Sequence, residues 1–221
     1  MSSAAVREAP APWQLTGRAY AIALRLPDAQ RIEQAGVPAI LGEPAGRYSL
    51  MMFVDYTDSN VGPYHELLFI PGSYDFVDGH RHLSIGHIYV SSQDSVVNGQ
   101  NNWGIPKDLA SFEVVRGKRE DTVTVSQDGQ VFCRLTLRHG RLGVPVFAPL
   151  VPRRLRTLGQ VREGKTFIYA PSASGTLCRG QLTESWADGV HFPEIQKGRV
   201  IAGGYMPAFR MNFPVADTFS S

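Results

Sequence analysis

Along most of the chain apolar and polar side chains alternate with a period of two, the pattern of strands that bury one face. Arg18 to Leu26 is the first such stretch, and it sets Arg18 and Tyr20 on a common face. The period changes at Pro27 to Gly36, where Ala29, Ile32 and Ala35 recur at helical spacing behind Asp28, predicting a short helix before a Gly/Pro loop through Gly46. Tyr48 to Tyr56 and Tyr64 to Ile70 are strongly apolar and flank the turn Asp58 to Pro63, which predicts a long hairpin with Glu66 on a strand otherwise suited to burial. Tyr74 to His82 reads as a polar connection, Leu83 to Ser91 as a strand, and Asp94 to Gln100 as one or two helical turns. Leu109 to Arg116, Thr122 to Gln127 and Gln130 to Arg138 then form a meander, its last two strands joined by the type I′ turn signal Asp128-Gly129. Pro145 to Pro152 is apolar and interrupted by proline, Lys165 to Ala170 and Gly175 to Ser185 are strands, and Arg199 to Phe213 closes the chain. Many short strands and few helices predict a mainly β (α+β) fold, an antiparallel sheet curled into a barrel or cone.

Residues 1–13, rich in Ala, Pro and Ser, read as a disordered or loosely attached arm, and 14–221 as a single domain with no repeat or linker to divide it. With 221 residues, 43% hydrophobic and 19% charged, the chain has the composition of an ordinary globular protein. Its formal charge of +2 is too small to favour nucleic acid or a membrane surface as a partner. No apolar run approaches the ~20 residues of a membrane span, and the N-terminus lacks an apolar core of signal-peptide length, so a cytoplasmic protein is expected. Cys133 and Cys178 are far apart and fit neither a zinc site nor a disulfide framework. Asp78, His80, His82 and His87 have the alternation of a metal site on a strand, but Asp78 to His82 reads as a turn, and no metal or other cofactor is expected. Arg153, Arg154, Arg156 and Arg162 form a basic run that could meet a neighbouring subunit or an anionic ligand, with a solvated face the plainer reading.

The stretch Gly99 to Glu113 carries the most chemistry, because it sets one lysine, Lys107, among Trp103, Ile105 and Leu109 behind Pro106. Gly99 and Gly104 permit tight turns there, and Pro106 holds Ile105 extended. An exposed amine titrates near 10.4, so only roughly one in 2,500 is neutral and nucleophilic at pH 7, and burial raises that fraction. From composition alone, a lysine laid along the tryptophan with its ammonium in water is the plainer arrangement. Glu66, between Tyr64 and Leu67-Leu68-Phe69, is the best acid/base candidate, and Arg18 its expected partner.

The spacing Gly-x-x-x-x-x-x-Pro-Lys from Gly99 to Lys107, after the run His87-Ile88-Tyr89-Val90, resembles the active-site segment of the acetoacetate decarboxylase family. Gly17-Arg18-x-Tyr20 resembles that family's early arginine-bearing strand, Tyr64-His65-Glu66 its Tyr-x-Glu, and Arg199 to Pro214 its C-terminal strand. The family is itself the standard illustration of a lysine activated by an apolar pocket or a cationic neighbour. Here Gln100-Asn101 replace its Arg-Glu, and Asp108 replaces its second lysine.

The resemblance implies Lys107 as a Schiff-base lysine with Glu66 and Arg18 as catalytic partners, and Tyr20, Tyr64, Tyr89, Gln100 and Trp103 as substrate-binding positions. It implies a homo-oligomeric lyase that condenses Lys107 with a small-molecule keto acid, followed by decarboxylation or by aldol condensation and dehydration. The alternatives are a hydratase, cyclase or isomerase of secondary metabolism in which Lys107 is only a charged contact, and a non-catalytic barrel that holds an apolar ligand. Three geometric expectations follow: Lys107 buried beside Trp103 or Tyr89, Arg18 and Glu66 in the cavity that holds it, and Asp108 turned away from that cavity.

Overall fold

A computed structural model describes residues 6–147 and 152–220. In chain order its elements are β1 (Trp13–Arg25), α1 (Asp28–Glu33), β2 (Ser49–Asp58), β3 (Tyr64–Ile70), β4 (Gly72–Asp75), β5 (Arg81–Ser84), β6 (His87–Val90), α2 (Gln93–Trp103) and β7 (Lys107–Leu109). There follow β8 (Ser111–Arg116), β9 (Glu120–Gln127), β10 (Gln130–Phe147), β11 (Leu158–Arg162), β12 (Lys165–Tyr169), β13 (Ser172–Ala187), β14 (Arg199–Phe213) and β15 (Asp217–Ser220).

Ten strands form one sheet in the order β7-β6-β3-β2-β1-β14-β13-β10-β9-β8. Its two edge strands, β7 and β8, are consecutive in the chain and separated only by Ala110, so the ends of the sheet come together in a nearly closed barrel. Closure removes the unpaired edges that an open sheet would expose. All its neighbouring pairs are antiparallel except β6 and β7, which run parallel with Ile88 opposite Lys107. The second sheet, β15-β12-β11-β5-β4, has five strands.

The period-two alternation divides the large sheet into two faces with different cores. Tyr20, Ile22, Met51, Phe53, Leu67, Phe69, Phe132 and Leu135 fill the inside of the barrel as one cluster. The side chains between them, such as Leu15, Val54, Tyr64 and Leu68, point outwards and pack with Trp103 of α2 and Phe167 and Tyr169 of β12. The barrel is thus a filled core, and a second apolar layer lies between its outer face, the small sheet and α2.

Several elements differ from the sequence-based expectation. The first strand begins at Trp13, which is 1% exposed, rather than at Arg18. Within the segment expected as a loose arm, the Arg7 amide donates to Asp94 and the Ala9 amide to Asn98 of α2, while residues 1–5 lie outside the described residues. The expected strand Leu83 to Ser91 is broken at Ile85-Gly86 where the chain leaves one sheet for the other. The connection Tyr74 to His82 contains part of β4 and β5, paired from Gly72–Ser84 to Asp75–Arg81. Gln130 to Arg138 continues to Phe147 with Pro145 inside the strand, and the rest of the apolar run Pro145 to Pro152, residues 148–151, lies outside the described residues. Neither β11 nor β15 was expected, because each is short and lacks the regular alternation of a half-buried strand.

Candidate active site

The segment before Lys107 is a helix and its stop. Ser92 caps α2, its hydroxyl accepting from the Ser95 amide at 3.3 Å, and Gly104 ends it in the left-handed conformation with φ 64°. Gly104 therefore provides the predicted tight turn. Gly99 does not, since it lies inside α2, and its need for glycine is steric: a Cβ there would come within 2.7 Å of Lys107 Cδ and 2.9 Å of Cε. The lysine stem runs over this bare patch of helix. Beyond it the chain enters β7, where Gln100 Nε2 donates to the Lys107 carbonyl at 2.8 Å and fixes the strand against α2.

Lys107 is 6% exposed and reaches into a cavity of about 320 Å³ between the barrel's outer face and the second layer. Its Nζ donates to Glu66 Oε2 at 2.9 Å and to Ser95 Oγ at 3.0 Å, and lies 5.2 Å from the centre of the Tyr64 ring. The other oxygen of Glu66 accepts from the Tyr56 hydroxyl at 3.1 Å. Burial is the largest influence and pulls the lysine pKa down, but the charges and hydrogen bonds of Glu66 and Tyr64 together outweigh it, and the net direction is upward from 10.5. Burial likewise pushes Tyr64 up to about 12, against the pull of the Lys107 charge, and drives Tyr56 well above 10 with help from Glu66. Among the described lining residues, only Tyr56, Tyr64, Glu66, Lys107 and Arg156 carry polar side chains.

The cavity gathers Lys107, Glu66, Tyr64 and Trp103, the last as a wall whose indole N–H donates to the Pro214 carbonyl at 2.6 Å. It does not gather Arg18. In the paired strands Arg18 sits opposite Asp55 while Glu66 sits opposite Val54, so the two side chains leave opposite faces of the sheet. Arg18 Nε instead donates to Asp55 at 2.9 Å, in a cluster that Arg116 and His65 join. Tyr20 shares that inner face and donates to Asp121 at 2.9 Å. Tyr89 also points inwards, packing on Phe132 and donating to the His191 carbonyl, so Trp103 and not Tyr89 accompanies the lysine. Gln100 is occupied by the Lys107 carbonyl and by Arg162, and lies outside the cavity lining. Asp108 is exposed and turned to its own chain, its carboxylate accepting from the Leu109 amide at 3.0 Å.

Three groups of the site, Tyr56 and Arg156 in the cavity wall and Ser95 behind the Lys107 amine, were not singled out from the sequence. Tyr56 was within reach, since alternation along the hairpin puts it on the face of Val54 and diagonal to Glu66. Ser95 stands four residues before Gly99 on the same side of α2, a relation the expected helical turns Asp94 to Gln100 already contained but the reading of Gly99 as a tight turn obscured. Arg156 carried no distinguishing signal within its basic run.

The model of the acetoacetate decarboxylase family matches residues 33–153, more than half of the chain. The chain belongs to the acetoacetate decarboxylase family, which includes decarboxylases and MppR-type enzymes. Among solved structures it is similar to an acetoacetate decarboxylase-like enzyme from Sphingomonas wittichii RW1, with TM-score 0.71 and 14% identity over 100% of this chain and 97% of that one. It is also similar to acetoacetate decarboxylase from Legionella pneumophila, with TM-score 0.68 and 13% identity over 96% and 88%. A third similar structure is the enduracididine biosynthesis enzyme MppR in complex with pyruvate, with TM-score 0.64 and 13% identity over 96% and 91%. No curated protein matches by sequence. At such identities the likeness establishes the fold. Among the described residues no helix is long and apolar enough to cross a membrane.

Proposed function

We propose that this chain is a lyase that forms an imine between Lys107 and the ketone of an oxo-acid. The observation that carries this reading is a single amine, paired with one carboxylate at 2.9 Å, in a cavity whose walls are otherwise almost wholly apolar. The pairing holds Lys107 as an ammonium at rest, which is compatible with imine chemistry when the protons are counted. An ammonium and a ketone give a protonated imine and water without net uptake or release of a proton. Glu66 takes one proton from the ammonium to free the attacking amine, and a second passes from nitrogen to the former carbonyl oxygen as the carbinolamine forms. Glu66 then returns the first to the hydroxyl, which departs as water, and Tyr56 steadies the carboxylate through its other oxygen. The nitrogen is positive at the start and at the end, when Glu66 is again a carboxylate facing a cation; in the carbinolamine between, both are neutral. The iminium then withdraws electrons from the adjacent carbon, where a carbon-carbon bond to CO2 or a carbon-hydrogen bond is broken to give the enamine.

Borohydride trapping tests the reading. The wild-type chain incubated with a panel of oxo-acids is expected to gain one reduced adduct by intact mass, mapped to Lys107 and absent from Lys107→Ala. No adduct with any of them would overturn it. Turnover without an adduct would then favour the non-covalent reading, for which the ion pair between Lys107 and Glu66 speaks, with the lysine a fixed cation in a cofactor-free hydratase, cyclase or isomerase.

A further inference from the structure

We infer that the substrate is an oxo-acid with an extended aliphatic chain, its ketone against Lys107 and its carboxylate on Arg156, a proposal that rests on the imine reading above. Charge balance is the first ground. Lys107 and Glu66 neutralise each other, so a carboxylate placed beside the ketone would bring an unmatched anion into an apolar space. Arg156 is the other cation among the described lining residues, and it pairs with no carboxylate among them. Its Nη1 donates to the carbonyls of Ala170 and Pro171, both at 2.8 Å, which orients the guanidinium plane. Its Nε is buried and has no partner among the described residues. The edge formed by Nε and Nη2, the two parallel donors that a carboxylate accepts side-on, is therefore left without an acceptor among the described residues.

Size and lining are the second ground. A cavity of about 320 Å³ holds roughly ten waters at their ~30 Å³ share of liquid volume, whereas acetoacetate or pyruvate would leave most of it empty. Water is a poor filler here, because Leu68, Ile88, Ile105, Met206 and Phe209 offer it no hydrogen bonds. A run of methylenes fits both the volume and the walls. Position is the third. Arg156 is half-buried and follows the exposed Leu155, whereas Lys107 is 6% exposed, so the charged end of the ligand lies nearer to solvent and the ketone goes deep.

The test uses cyanoborohydride trapping on the whole chain with 9-oxodecanoate, decan-2-one and 4-oxopentanoate. The first two share chain length and methyl ketone and differ only in the carboxylate. In the wild type, 9-oxodecanoate is expected to label Lys107 at a lower concentration than 4-oxopentanoate. Arg156→Gln should raise the half-labelling concentration for 9-oxodecanoate by about 10- to 100-fold, as loss of a charged hydrogen bond implies, and leave decan-2-one unchanged. Arg156→Lys, which keeps the charge without the fork, should fall between, and unchanged melting temperatures certify both folds. Equal weakening of the two ten-carbon probes in Arg156→Gln, or a wild-type preference for 4-oxopentanoate, overturns the proposal and leaves the imine reading standing. Absence of labelling by all three overturns the imine reading and the proposal with it.

Discussion

Replacing Glu66 with glutamine keeps the shape of the side chain and removes the charge that holds the Lys107 ammonium in the cavity. Breaking a buried pair by neutralising one partner costs about 3–5 kcal/mol when the other charge stays behind. A lysine has a way out, because it can release its proton. Neutralising an amine that titrates at 10.5 in the unfolded chain costs about 5 kcal/mol at pH 7 and only about 2 kcal/mol at pH 9, at 1.36 kcal/mol per unit. The lost stability in Glu66→Gln is therefore bounded by a ceiling that falls by about 1.4 kcal/mol per pH unit. The signs follow from the direction of the shifts. In the wild type the folded lysine pKa is raised, so its stabilisation is complete below 10.5 and is lost only as pH climbs through the folded value. In the variant desolvation acts without the carboxylate, the folded pKa falls below 10.5, and stability rises with pH from that lowered value up to 10.5. Urea unfolding followed by tryptophan fluorescence at pH 7, 8 and 9 should show wild type and variant converging, since every titrating group apart from Lys107 and the replaced Glu66 is common to both. A difference that stays constant with pH would mean that the lysine keeps its proton without Glu66, and the account of its burial would be wrong. A variant as stable as wild type at pH 7 would refute the ion pair itself.

Gly99→Ala should destabilise the fold, because the gain of up to about 1 kcal/mol that alanine has over glycine inside a helix is outweighed by displacing the buried Lys107 stem, which occupies the space a Cβ would take. It should also suppress trapping at Lys107; trapping at the wild-type rate would contradict that packing. Asp108→Asn should leave trapping and its pH profile unchanged, since the carboxylate faces solvent, and a severalfold gain would show that Asp108 acts on the amine after all. Asp55→Asn should lower stability at pH 7 by about 2 kcal/mol, the scale of hydrogen bonds to a charged group. His65 and Arg18 hold the Asp55 pKa below 3.8 against its burial, so its contribution is present above 3.8 and lost as pH falls through the lowered value. The gap between Asp55→Asn and wild type in chemical denaturation should therefore narrow below about pH 4, and imine trapping should not change.

The sequence exposed what is local. The apolar run Tyr64–Ile70 between its turns marked the strand that carries Glu66, and the glycine, proline and lysine of the Gly99 to Lys107 segment were legible as a unit although the helix was expected to end at Gln100 rather than Trp103. Arg18 failed for a reason a sequence conceals: its side of the sheet depends on the register of β1 against β2 and β3, and a shift of one residue exchanges the faces. The same uncertainty placed Tyr20 and Tyr89 at the cavity when they belong to the barrel interior. The alternative of an apolar ligand held by the barrel meets an interior filled by bulky residues such as Phe53, Phe69 and Phe132, and the cavity lies on the barrel's outer face instead. Arg156 reaches the cavity only through the packing of β11 and β12 beside β5, and a contact between segments some 70 residues apart leaves no local mark on either.

The sheet closes on the very strand that bears the lysine. That strand has three residues, it is the parallel partner of β6, and beyond it only the Ala110 amide, bonded to the Val90 carbonyl at 3.0 Å, carries the ladder towards β8. In a hoop of ten staves this is the one fastened by the shortest clasp. Local opening begins where few hydrogen bonds must break together, so the joint loosens before the long pairings of β10, β13 and β14. A molecule fixed to the Lys107 nitrogen and wedged against the far wall would brace that clasp from outside. Occupancy of the cavity would then be written in the slowed hydrogen exchange of Leu109 and Ala110, and the chemistry and the mechanical closure of the barrel would share one short piece of chain.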